Sequence, residues 1–306
     1  MAIASSTPQS SASPAPARGQ SVNARILRLA WRSPEMKVAS ALFFALCLLT
    51  LLGPFIIDAS ATKISVADKF LPPVFMEGGR LPYFLGTDQL GRDLLLRSLV
   101  GLRNAFLIGV VSVVLMFVLG CAIGIFSGYR GGWTDVILMR ITDVQMSIPV
   151  IILAITILGM SRPNPFTIVA VLVLSGWPIY ARVARSVTLA ERQKEYVRAA
   201  RIIGASDLRI MVRHIAPSIL PPIAFVAVLD VARMMIFEAI FGFIGIGIQP
   251  PTPTFGTIIS GGTQYLLNAW WITIVPGCLL ALSLGSLNLI GGVLEKSRNL
   301  VLQGAA

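Results

Sequence analysis

Three ionisable residues, Asp230, Arg233 and Glu238, interrupt a run from Pro222 to Ile246 that is otherwise apolar. A charge near the middle of a membrane costs on the order of 2.5 to 3.5 kcal/mol on insertion scales. A helix bearing three of them must turn that side to protein or water. Asp230 and Arg233 stand one turn apart and can neutralise each other, which leaves two readings open, an internal ion pair or a place along a pathway. Glu238 has no such partner on its helix, so a lining or gating role is expected of it. The chemistry on offer is recognition and movement of charge rather than bond-making. No GxxxxGK[ST] loop is present to cradle a nucleotide, and no HExxH to hold a metal. His214 is the single histidine. It reads as a helix-end residue, with a role in partner contact or pH response as the alternative. Cys47, Cys121 and Cys278 lie in three separate apolar runs and read as small buried residues, which predicts neither a disulfide nor a metal site.

Composition names the class of scaffold that must hold these charges. Of 306 residues, 55% are apolar and 13% charged, with a mean hydropathy of +0.80. A soluble domain carries about 25% charged residues, so this is a polytopic all-α membrane protein. The net charge of +11 could point to nucleic acid, but its distribution points to orientation instead. Seventeen of the 25 basic residues fall on one expected side, seven on the other, and Arg233 within a span. Basic loops stay cytoplasmic.

Along the chain, residues 1–24 are rich in Ser, Ala and Pro and are expected to be disordered. Residues 25–37 are basic and predict a short helix on the membrane surface, closing a cytoplasmic tail at 1–37. The first span is 38–57, about twenty residues and so long enough to cross at 1.5 Å per residue. Ala59 and Ala61 imitate a signal-peptidase site, but the run is too long for a signal peptide and reads as an uncleaved anchor. An extracytoplasmic segment follows over 58–104, in which Thr87 or Asp88 could cap a helix and Asp93 pair with Arg97. Residues 105–293 hold five further spans: Ala105 to Phe126, about Ser147 to Met160 with a lead-in from Trp133, Phe166 to Val183, Pro222 to Ile246, and Trp271 to Val293. Arg140 and Asp143 in that lead-in can pair. Ser175, Trp177, Pro178 and Tyr180 predict a kinked fourth span. Pro250, Pro251 and Pro253 predict an extended outer course. Six spans place both termini, including a tail at 294–306, in the cytoplasm.

The longest charged stretch lies between the fourth and fifth spans, over 186–221. Val197, Ala199, Ala200 and Ile203 predict one helix, and Gly204 a left-handed stop. Ser206 can cap a second helix with Asp207 in its first turn. Leu208, Met211 and Ile215 fall on one side of it, Arg209 and Arg213 on another, and Pro217 is expected to end it. A solvated basic loop is the plain reading. A helix-turn-helix is the nucleic-acid alternative, but the roughly thirty residues between apolar runs leave no room for the third helix and separate core it needs.

Ala199, Ala200, Gly204 and Pro217 carry a spacing that resembles the cytoplasmic EAA loop of permease subunits in ATP-binding-cassette importers. Three positions depart from it: Arg198 replaces the name-giving Glu, His214 an Ile and Ala216 a Leu. Gly86-Thr87-Asp88 with Gly91-Arg92-Asp93, and Phe243 to Gly247 followed by QPPTP, are similar to two further signatures of the peptide and nickel branch. The resemblance implies a type I importer permease of six transmembrane helices in the bacterial inner membrane, with no catalytic site of its own. It implies a homologous second permease, two cytoplasmic ATPases that bind ATP and magnesium, an extracytoplasmic substrate-binding protein and membrane lipid as partners. The ATPase-coupling residues would be Ala199, Ala200, Gly204, Ala205, Ser206, Asp207, Leu208, Arg209, Met211, Arg213, His214 and Pro217. Asp230, Arg233 and Glu238 would be the candidate translocation pathway. The expected cargo is a dipeptide or oligopeptide, with nickel or another small solute as the alternative. A proton-coupled secondary transporter using Asp230 and Glu238 ranks below both, and a membrane-tethered helix-turn-helix protein ranks there too.

Overall fold

In a computed structural model, residues 22–56, 61–161 and 163–303 are described. The expected disorder of 1–24 falls largely outside them, as does Ala59. The helices are α1 (Val22–Arg32), α2 (Pro34–Ile56), α3 (Leu94–Arg130), α4 (Gly132–Ser147), α5 (Val150–Met160), α6 (Pro165–Glu191), α7 (Glu195–Ile202), α8 (Asp207–Arg209), α9 (Ala216–Phe243), α10 (Phe255–Gly262) and α11 (Trp271–Leu302).

Among the described residues, α2, α3, α6 and α11 are long and apolar enough to cross a membrane, and α4 with α5 would make a fifth span. That pair bends by 85° at residues 148–149. The cause is Pro149, which forces Ile148 into the extended region and interrupts the helix. The expected third span is therefore broken, and α5 alone, at 11 residues, reaches only about 16 Å. The expected fifth span falls on α9, whose 28 residues extend about 42 Å, but α9 is not among the candidate spans, so four or five stand where six were expected. Helix α9 carries the three ionisable residues and packs against α3, α6, α10 and α11.

The most extensive pairing is α3 on α6, and its cause is legible in small residues. Gly120, Gly124 and Gly128, four apart, line one face of α3. A Cβ on Gly120 would lie 2.5 Å from the Trp177 carbonyl, and one on Gly124 2.3 Å from that of Ala181. Small residues at this spacing let helix backbones meet. Trp177, Pro178 and Tyr180 are buried in this contact, so they serve packing. One apolar core joins α3, α6 and α9 to the loop between the last two through Tyr180, Val197, Ile210, Ile215 and Phe241. A second joins α2, α3, α9 and α11.

The segment between α2 and α3 is pinned by buried charge. Asp88 accepts from Arg92 Nε at 2.7 Å and lies 3.3 Å from Arg97 Nε, all three side chains being at most 11% exposed. Asp93 does not pair with Arg97. It caps α3, accepting from the Leu96 amide at 2.9 Å. The Trp271 indole donates to the Thr87 carbonyl at 3.2 Å, tying this segment to the start of α11. Residues 250–251 form a turn with a cis peptide bond between them, in place of the extended course. The amphipathic α1 buries Ile26 and Ala30 and packs on α11, so it is docked on the bundle rather than lying on the membrane alone. Of the three cysteines expected to be buried, Cys121 is, Cys47 is half-buried and Cys278 is exposed.

Candidate functional site

Two features hold the residues of interest, the loop between α6 and α9 and the ion pair within α9. In the loop, α7 ends in a Schellman arrangement. The Ala205 amide bonds to the Ala200 carbonyl and the Gly204 amide to that of Arg201, both at 3.0 Å. Gly204 takes φ +86°, the left-handed conformation that only glycine adopts at little cost. Ser206 occupies the cap of α8, but its side chain makes no capping bond.

Beyond α8 the chain departs from expectation. Ile210–Ile215 forms a π-helical turn that runs directly into α9, so Pro217 does not end the helix. It sits in the first turn of α9, where a missing N–H leaves no bond unmade. The apolar face predicted as one stripe divides in two. Ile215 and its neighbour Ile210 are buried, Met211 packs on the core, and Leu208 is 67% exposed. Together with Ile202, Ile203 and Val212, exposed by 86%, 85% and 62%, Leu208 forms the apolar part of the outer surface around Gly204. Ala200 and Ala205 pack inward against the core, while Ala199, Ser206, Asp207, Arg209 and Arg213 are exposed.

Hydrogen bonds fix the loop to the bundle from below. The Tyr129 hydroxyl, at the end of α3, donates to Asp207 and accepts from Arg201. That bond holds the Arg201 guanidinium above its usual value. Glu191, buried at the end of α6, accepts from Lys194 at 2.6 Å and from Tyr196, and this raises the Lys194 ammonium above the ordinary lysine value. The His214 ring lies 6.3 Å from that of Tyr196. Arg185 and Asp135 tie α6 to α4 through a second contact at 2.6 Å between Nη2 and Oδ2. Asp143 takes Arg182 at 2.6 Å as its close partner, with Arg140 at 3.9 Å. The partners of Tyr129 and Arg182 lie on other helices, so sequence spacing gives no sign of them, whereas Glu191 and Lys194 are only three residues apart and their pairing was readable. The Gly120-Gly124-Gly128 spacing that brings α3 to α6 was readable.

In α9, Arg233 Nη2 donates to Asp230 Oδ1 at 2.8 Å, the i,i+3 pairing the spacing allows, with side chains 41% and 7% exposed. The pair borders a cavity between α6, α9 and α11. Glu238 does not share it. Its residue is 1% exposed, and among the described residues neither carboxylate oxygen has a hydrogen-bond partner. The site therefore comprises an ion pair in α9 beside open space, and a loop between α6 and α9 whose exposed surface carries both apolar and charged side chains.

Residues 120–299 match the family described as the inner membrane component of binding-protein-dependent transport systems. The chain is 34% identical over 235 residues to the di/tripeptide transport system permease protein DppC of Pseudomonas aeruginosa, covering 77% of this chain and 78% of that one. It is 32% identical over 244 residues to the dipeptide transport system permease protein DppC of Haemophilus influenzae, covering 80% and 83%. Its fold is similar to a chain of the MetNI methionine ABC transporter solved in inward-facing conformations, with a TM-score of 0.52, 20% identity, and 67% of this chain and 96% of that one covered. The left-handed Gly204 turn, the apolar helices and these similarities agree: the chain belongs to the inner membrane components of binding-protein-dependent transport systems.

Proposed function

We propose that this chain is one of two different permease subunits of an importer that carries dipeptides or oligopeptides across the bacterial inner membrane, both of its termini being cytoplasmic. Its partners are a related permease, two cytoplasmic ATPases that bind ATP and magnesium, and an extracytoplasmic binding protein. The observation that carries the coupling role is the exposed apolar surface of Ile202, Ile203, Leu208 and Val212 around Gly204. An apolar patch on an otherwise charged loop marks a partner surface, and a short helix laying that face into a groove is a recurring docking mode. Arg209 and Arg213 flank it and would meet acidic groups. Because α8, the π turn and α9 are continuous, motion of the docked loop is passed directly to the helix bearing Asp230 and Arg233. The peptide cargo is supported by the similarity to di- and tripeptide permeases over 77% of the chain.

The test is uptake in cells lacking this chain, with labelled dipeptides, oligopeptides and nickel offered separately. Peptide uptake lost in the deletion and restored by the natural sequence is expected. Loss confined to nickel would move the protein to a metal-ion cargo, and uptake that persists without ATP but collapses with the proton gradient would overturn the ATP-driven mechanism.

A further inference from the structure

The cavity beside Asp230 and Arg233 has a volume of about 630 Å³, within the range of about 300 to 1,000 Å³ usual for small-molecule sites. It is lined by Phe225, Leu229 and Arg233 of α9 and by Asn288, Glu295 and Arg298 of α11. These α11 residues run from the middle of that helix to its last turns, so polar groups follow the cavity from the ion pair toward the C-terminal end. Both guanidiniums are held in place. Arg233 is fixed by Asp230, and Arg298 stacks over the Phe225 ring at 5.4 Å from its centroid. Among the described residues the Nε of each is buried without a hydrogen-bond partner, so contact with the cavity falls to the terminal guanidinium nitrogens, the Arg233 side chain being 41% exposed. Among the described residues Arg298 forms no ion pair, and its one side-chain bond is a 3.5 Å contact to Asn299. An internal ion pair whose only task was to neutralise Arg233 would need none of Asn288, Glu295 or Arg298 around the same space. Two acidic and two basic groups border the cavity, a balance suited to a molecule that carries both signs.

The geometry points to a cargo subsite for a zwitterion, in which Arg233 and Arg298 receive the terminal carboxylate and Glu295 and Asn288 the ammonium end. This inference rests on the peptide reading. Guanidiniums are suited to carboxylates because their donors fork in one plane. Phe225 and Leu229 supply apolar wall for side chains without selecting among them. Asp230 acts through Arg233 and is a positioning residue.

The test uses cells expressing the intact importer and a labelled tripeptide bearing a diazirine side chain, in free-carboxylate and C-terminally amidated forms. On irradiation during uptake, the free-acid peptide is expected to form adducts on residues 225–233 and 288–298. Arg233→Gln and Arg298→Gln should each lower that adduct yield at least tenfold and change the amide's yield less than twofold. Peptide uptake with adducts only elsewhere in the chain, or variants that lower acid and amide yields equally, would overturn the subsite and leave the peptide importer standing. Cells that accumulate neither peptide would overturn the peptide reading and this inference with it. The adduct map is made on the natural sequence, so it stands even if a variant fails to insert.

Discussion

The Tyr129 hydroxyl donates to Asp207 Oδ1 at 2.7 Å. It also accepts from Arg201 Nη2 at 3.1 Å, with the Arg201 guanidinium 5.6 Å above the ring. Arg201 lies before Gly204 and Asp207 after it, so one residue at the end of α3 holds both arms of the turn. Tyr129→Phe keeps the ring under Arg201 and removes both hydrogen bonds, each worth roughly 0.5 to 1.5 kcal/mol. The variant should insert normally, yet cargo moved per ATP hydrolysed should fall threefold or more. The ratio is measured in the reconstituted importer, and an unchanged value would deny Tyr129 this holding role.

Gly204 separates backbone strain from surface bulk. A Cβ there would meet nothing within 4 Å, so alanine is opposed only by φ +86°, at about 1 to 2 kcal/mol. Gly204→Ala should slow uptake modestly. Gly204→Trp adds the same strain and places an indole beside the exposed Ile203, so it should abolish uptake while ATP hydrolysis continues. Equal uptake by the two variants at equal membrane levels would mean that no partner seats on this surface.

What could be read in the sequence were features whose cause is local. The left-handed Gly204 needs only its own backbone, and the Asp230–Arg233 pair needs only helical spacing. The continuation of the loop into α9 was hidden because Pro217 stops a helix in its interior but is accommodated in its first turn, and the π turn that shifts the register has no composition of its own. The division of Leu208 from Ile215 depends on where the core lies, which the amphipathic pattern of one short helix does not fix. The sequence offers Thr87 or Asp88 as a cap and Asp93 as the partner of Arg97. The fold exchanges these roles because α3 starts at Leu94, which puts Asp93 at the cap.

Asp88 stands between two guanidiniums in a setting almost closed to solvent. Asp88→Asn removes the negative charge and leaves Arg92 and Arg97 buried together, a change that costs about 3 to 5 kcal/mol when a buried pair is broken. The segment between α2 and α3 should loosen first, since the Leu90 and Arg92 amides also bond to this carboxylate, at 2.8 and 3.0 Å. Amide exchange over residues 61–93 should rise sharply in Asp88→Asn, while that of α6 stays close to the natural protein. Uniform exchange across both regions would show that Asp88 supports the whole bundle rather than this segment.

The close approach of α3 to α6 makes a sharper forecast. A methyl group on Gly124 would lie 2.3 Å from the Ala181 carbonyl oxygen and 2.8 Å from the Ala184 Cβ, and neither backbone nor Cβ can rotate away. Gly124→Ala must part the two helices, an overpacking cost of about 1 to 3 kcal/mol. Gly285, on α11, would meet nothing within 4 Å, so Gly285→Ala should gain the better helix propensity of alanine, up to about 1 kcal/mol. In detergent, the melting temperature of Gly124→Ala should fall and that of Gly285→Ala should hold or rise. The same methyl added to two helical glycines then acts with opposite sign, because one glycine faces a backbone and the other faces open space. Equal melting temperatures would mean that α3 and α6 have room between them, and the glycine spacing would lose its role in setting the core against which the loop is fixed.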